Sequence, residues 1–210
     1  MTLPSVHEAP IRLWSVEGNC GLLVAWVVLR HFGLRTSCTS LIRSCGYTRR
    51  YGVFTIALAS ALQERGLHVT FHSDPDPDIK PTERRFYGKA KRLGIPMLSG
   101  QSLNALLRHV RKRRVVIVFY DTPEGEGHFS ALLGERRGHL ILPQSDSGHM
   151  PRGAFLRAWR APGIARQCIV VADNSQRRPN NSMQRMGASH SGQSQFVRQR
   201  RLAPTADAER

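Results

Sequence analysis

Gly18-Asn19-Cys20-Gly21-Leu22-Leu23-Val24-Ala25-Trp26-Val27-Val28-Leu29-Arg30 is an apolar run opened by a thiol. The run continues to Phe32 with Arg30 as its one charged interruption, Asn19 suits an N-cap, and Gly33 suits the left-handed residue that follows a helix end. A long, mostly buried helix is the expectation. A cysteine at such a start faces unpaired backbone N–H groups and the positive end of the helix dipole, which lower its pKa and favour the thiolate. A second stretch, Gly127-His128-Phe129-Ser130-Ala131-Leu132-Leu133-Gly134, puts an imidazole at the head of a strand pattern. Separately, Cys20 reads as a small buried hydrophobe and His128 as a satisfied strand-edge histidine; together they have the residue types of a nucleophile and its base.

Working outward, Thr39 to Ser44 reads as a short helical turn and Gly46 to Gly52 as a polar, aromatic-marked connection. Thr55 to Arg65 has apolar residues at helical spacing and stops before Gly66, and Leu67 to His72 follows as a strand with His68, Thr70 and His72 on one face. Asp74-Pro75-Asp76-Pro77-Asp78 is turn chemistry, and the stretch from there to Gly94 reads as a basic, weakly helical surface excursion. Ser102 caps a helix to Arg113 with Leu103, Leu106, Leu107 and Val110 on one side. Val115 to Tyr120 has the continuous β-branched and aromatic character of a central strand. Phe129 to Leu133 and His139 to Leu142 read as strands joined by a hairpin loop over Gly134 to Gly138, Ala154 to Trp159 as a short helix, and Cys168 to Val171 as a closing strand. Helices first and strands afterwards indicate an α+β domain with its N-terminal helices packed on an antiparallel sheet.

The 210 residues with 40% hydrophobic content suit one domain, residues 1–173, followed by residues 174–210, which read as a disordered basic tail with seven Arg against two acids. No window of 18 uninterrupted apolar residues exists, and Met1 to Pro10 lacks the sections of a signal peptide, so a cytoplasmic protein is expected, with secretion by a signal-independent route left open. Cys20, Cys38, Cys45 and Cys168 are irregularly placed, unlike a disulfide scaffold, and reduced thiols are expected. The formal charge of +16 favours non-specific contact with polyanions, yet the arginines are spread through the chain without a nucleic-acid motif or stacking platform.

This order of elements resembles the papain-like cysteine peptidases, and within them the bacteriocin-leader-processing, double-glycine peptidase branch and its stand-alone relatives. The resemblance rests on Asn19-Cys20-Gly21-Leu22, Thr55 to Gly66, Ser102 to Asp121, Gly127-His128-Phe129 and Phe155-Leu156-Arg157-Ala158-Trp159, and covers Trp14 to Val171. It implies a papain-like fold, a peptide or protein substrate, no cofactor, and acyl transfer in which Cys20 attacks a carbonyl carbon while His128 holds and returns the proton. It also implies an acid followed by Pro at the end of the strand after the His strand. Here that stretch is Ile141-Leu142-Pro143-Gln144, with Leu142 at the acid's place, so Asp146, with Gln144 as the alternative, is the candidate for orienting the imidazole. The oxyanion Gln that the resemblance implies upstream of the cysteine has no counterpart, Trp14 standing near its place, and Asn19 or backbone N–H groups including that of Cys20 are the candidates to replace it.

Other constellations are weaker. Cys38 and Cys45 near His31 lack the close spacing and fourth ligand of a zinc site, so no metal is expected. Glu124 and Glu126 read as solvated loop charges, with contact to a basic substrate as the alternative, and Trp159 is placed near the cleft by the resemblance alone. Two other functions fit the same residues: a binding module that keeps the cleft without the chemistry, and a basic protein binding nucleic acid or an acidic partner.

Overall fold

The computed structural model describes residues 2–111 and 113–173; the tail expected at 174–210 lies outside them. After a short helical turn at Val6–Glu8, the helices are α1 (Ile11–Trp14), α2 (Cys20–His31), α3 (Cys38–Ser44), α4 (Thr55–Gln63), α5 (Pro81–Arg92), α6 (Leu103–His109) and α7 (Arg152–Trp159). The strands are β1 (His68–Ser73), β2 (Met97–Ser99), β3 (Arg114–Asp121), β4 (Gly127–Leu132), β5 (Gly134–Arg136), β6 (His139–Ile141), β7 (His149–Pro151) and β8 (Cys168–Ala172). A five-stranded sheet has the order β2-β1-β8-β3-β4, antiparallel except for the parallel β1–β2 pair, and a three-stranded antiparallel sheet has the order β5-β6-β7. The α+β architecture is the one the sequence predicts.

The large sheet is covered on both faces, which explains why β3 and β8 are apolar at successive positions rather than at alternate ones. Val115 and Ile117 join Val69, Phe71, Phe129, Ala131, Ile169 and Val171 under α2 and α4. Val116, Val118 and Tyr120 face the other way, onto α6, α7 and the small sheet through Leu106, Leu140, Leu142, Phe155 and Trp159. Helix α2 is buried from Gly21 to Leu29, and Gly33 takes the left-handed conformation after its end at φ 74°.

One expectation is sharpened and two are corrected. The basic, weakly helical stretch before Gly94 is a regular helix packed on the body of the fold: α5 runs twelve residues, mostly exposed, and buries Glu83, Phe86 and Ala90 along a narrow stripe. Gly134 to Arg136 is strand rather than loop, because the chain reverses in two residues, Arg137 and Gly138, both at positive φ (51° and 76°), the conformation of a tight hairpin turn. Strands β2 and β7 were not anticipated; each has three residues and owes its place to pairing with β1 or β6 rather than to its own pattern. Among the described residues no helix is long and apolar enough to cross a membrane.

Candidate active site

Cys20 is the first residue of α2, half-buried against the core and approached through Gly18, which turns the chain at φ 61° beside Gly52. Gly21 lets the helix start sit close to the sheet: a Cβ there would stand 2.9 Å from Val53 Cβ and 3.3 Å from the Phe129 ring. The thiol thereby comes near enough to the main-chain N–H of Phe129, the residue after His128, for that dipole to act on it, as do the N–H groups of Gly21 and of Cys20 itself. The sheet register explains why that N–H is free to meet it. Phe119, paired with Phe129 across β3 and β4, sends its own N–H to Gln167 O (3.2 Å), so the Phe129 amide points away from β3, off the open edge of the sheet.

The expectation of a lowered thiol pKa is not met. Burial pushes the Cys20 thiol up; the three N–H groups pull it down by less, and the nearby Glu126 carboxylate adds to the rise. A helix N-terminus favours the thiolate, but not enough to offset the loss of water around the sulfur.

His128 stands at the head of β4 with its ring beside that of Tyr120 (centroids 5.5 Å apart). Its Nε2 lies 2.6 Å from the main-chain oxygen of Gln144. A carbonyl oxygen only accepts, so Nε2 carries the hydrogen and Nδ1 keeps the lone pair of a base. The Gln144 side chain holds that carbonyl in place: its Oε1 accepts the Ala131 N–H (2.8 Å) and the Ser130 hydroxyl (3.2 Å), while the Gln144 N–H donates to Ser130 Oγ (3.2 Å). Ala131 is two residues beyond Phe129, so its amide faces the same open edge. Gln144 therefore bonds one free amide of β4, and Cys20 lies near the preceding free one.

The other candidates are placed as follows. Asp146 is exposed and makes no hydrogen bond to His128 among the described residues, although its charge acts on the buried Tyr120 hydroxyl. Asn19 precedes α2 without capping it; its Nδ2 donates to Trp14 O (3.1 Å), which engages the amide proposed for an oxyanion. Trp159 is buried on the far side of the sheet, where its indole donates to Gln167 O (3.3 Å). Among the described residues no three His, Cys, Asp or Glu side chains converge to hold a metal.

A cleft of about 600 Å³ opens at Cys20, with Phe129 and Phe119 in its lining. Gly127 also lines it, and the Phe119 ring occupies the space a Cβ there would need. Glu83 and Gln167, neither singled out by the sequence, also line it.

No family model matches the chain, and no curated protein matches it. Among solved structures, the peptidase domain of Streptococcus ComA, a bi-functional ABC transporter involved in a quorum sensing pathway, is similar at 16% identity and a TM-score of 0.46, over 73% of this chain and 90% of that one. A double glycine motif protease from an AMS/PCAT transporter, determined in complex with its leader peptide, is similar at 16% identity and a TM-score of 0.49, over 82% of this chain and 92% of that one.

Proposed function

We propose that the chain is a cysteine-dependent hydrolase of papain-like type that cleaves a peptide or isopeptide bond. The observation that carries this reading is the nearness of the Cys20 thiol to the amide directly after His128, an imidazole whose Nε2 is held by Gln144 O. His128 Nδ1 is the base. Because the thiol rests protonated, the proton moves to His128 as sulfur attacks the carbonyl carbon, in place of the preformed ion pair that the sequence suggested. The carbonyl π electrons pass to oxygen, and the main-chain N–H of Cys20, at the N-terminus of α2, is the available donor to that oxyanion. Collapse breaks the C–N bond, the amine leaves with the proton from His128, and a thioester remains. Water, deprotonated by His128, then attacks the thioester, and the thiolate departs and recovers the proton. A neutral carbonyl orients the ring as an acid would but stabilises imidazolium less, so a slow enzyme is expected.

A second reading keeps the cleft for binding alone; the raised Cys20 thiol and the apolar Leu142 at the expected acid position favour it. Iodoacetamide alkylation of Cys20, followed by mass spectrometry in the parent and in His128→Ala, separates the two. Loss of about tenfold or more in rate near pH 7.5 on removing the imidazole supports the base role. Equal rates in both proteins would leave the binding module.

A further inference from the structure

The cleft carries charge of the wrong sign for this chain. Glu17, Asp76, Asp78, Glu83 and Glu126 line it against three cations, Arg49, Arg50 and Lys80, in a protein of net charge +16. Glu17 is matched by Arg49 (2.9 Å), and the remaining acids, Asp76, Asp78, Glu83 and Glu126, outnumber the remaining cations, Arg50 and Lys80. They are also held in place. Asp74 is clamped by Arg166 through Nε–Oδ2 (2.5 Å) and Nη2–Oδ1 (2.6 Å), and its N–H donates to Ala165 O (2.8 Å), fixing the Asp76–Asp78 turn against the loop that leads to Gln167.

Two polar side chains in that region are buried. Glu83 is 6% exposed; burial together with the nearby Asp76 raises its pKa, and the main-chain N–H and ammonium of Lys80 oppose that rise by less. Gln167 is 4% exposed; its main-chain oxygen is occupied twice, by Phe119 N–H and the Trp159 indole, but its carboxamide makes no hydrogen bond among the described residues and borders the cleft. A buried amide left open to a cavity is a waiting partner for a donor.

We infer that the end of the cleft formed by Asp76, Asp78, Glu83 and Gln167 is a subsite for a cationic side chain, so that the peptide taken carries an arginine or lysine near the bond that is cut. The inference rests on the proposed function for the bond cleavage but not for the binding. Gln167, Phe119 and Phe129 lie side by side across the sheet. Neighbouring strands are about 4.8 Å apart and an extended chain rises about 3.3 Å per residue, so the cation sits about three residues from the scissile bond. The whole-protein charge repels such a peptide, which makes the sign of the preference diagnostic.

Tetrapeptidyl chloromethyl ketones that differ only by Arg, norleucine or Glu at one position, scanned through all four, test this. Cys20 alkylation is followed by intact mass, and each rate is divided by that of iodoacetamide so that thiol reactivity cancels. The expected result is an Arg-to-Glu ratio of about tenfold or more at one position, falling towards unity in Asp76→Asn/Asp78→Asn and in Gln167→Ala. Faster reaction of the Glu probes, or a ratio unmoved by those variants, overturns the subsite. If no probe alkylates Cys20, the hydrolase reading fails and anisotropy of fluorescein-labelled tetrapeptide amides decides the subsite separately. Tighter binding of the Arg peptide than of the Glu peptide, lost in the same variants, sustains it, and the reverse order removes it.

Discussion

His128 is oriented by a main-chain atom: its Nε2 lies 2.6 Å from Gln144 O, and the Gln144 side chain is spent on holding that carbonyl against β4. Position 144 thus acts through its backbone while its side chain caps the open edge of the sheet. Gln144→Leu leaves the buried side of Ala131 N–H without a partner and is expected to cost about 1–3 kcal/mol in urea unfolding. It is also expected to slow Cys20 alkylation, because the imidazole loses its fixed tautomer. Asp146→Asn alters an exposed carboxylate and is expected to stay within about 0.5 kcal/mol and to change the alkylation rate less than about twofold. A larger effect at Asp146 than at Gln144 would reassign the third position.

The Cys20 thiol gives a pH profile with a definite sign. Burial and Glu126 raise its pKa above the ordinary 9.0, so the thiolate fraction at neutral pH is below that of a free cysteine and the alkylation rate climbs through an alkaline inflection. Glu126→Gln removes one cause and leaves burial, so the inflection moves down without reaching the free-thiol value. Iodoacetamide rates from pH 6 to 11 check both, and an inflection in the parent at or below pH 8 contradicts the expectation.

How much of this was legible in the sequence depends on where each piece of information is stored. Helix α2 is written locally, as an apolar run with Gly33 after it, and β3 as a β-branched run, so both were readable. Helix α5 was legible only as a weakly helical stretch, because Glu83, Phe86 and Ala90 are its only buried residues among lysines and arginines. Cys20 and His128 announce themselves by type. Gln144 acts through a carbonyl that every residue has, and Gln167 gains its place from the register of β8 beside β3, so neither leaves a mark in the sequence.

Gly127 ties β4 to the cleft wall. A Cβ at this position would overlap the Phe119 ring, which packs against Phe129 with centroids 4.6 Å apart. Gly127→Ala is expected to push the ring aside and destabilise the fold by about 1–3 kcal/mol. Phe119→Leu in the same chain should recover part of that loss, since it removes the colliding atoms. Urea unfolding of the two single variants and the double variant measures the coupling, and strictly additive losses would show that the ring is not what constrains position 127.

The buried thiols set the alkaline limit of the fold. Cys45 and Cys168 are fully buried, and burial pushes both up to about 12, with Cys20 raised as well. In the unfolded chain these groups lose their protons near 9, whereas in the folded chain they keep them. Between those values the folded state binds more protons than the unfolded one, so the unfolding free energy falls as pH rises, by at most about 1.4 kcal/mol per pH unit for each such group. The stabilising difference is present in full below pH 9 and is lost progressively towards 12. Tyr87 and Tyr120, both raised by burial, extend the same trend above pH 10. Urea unfolding under reducing conditions at pH 8, 9, 10 and 11 should show this decline. Cys168→Ala should be less stable at pH 8, through the cavity it leaves, yet lose stability less steeply with pH. A parent whose stability is flat from pH 9 to 11 would mean that these thiols ionise in place without opposing the fold.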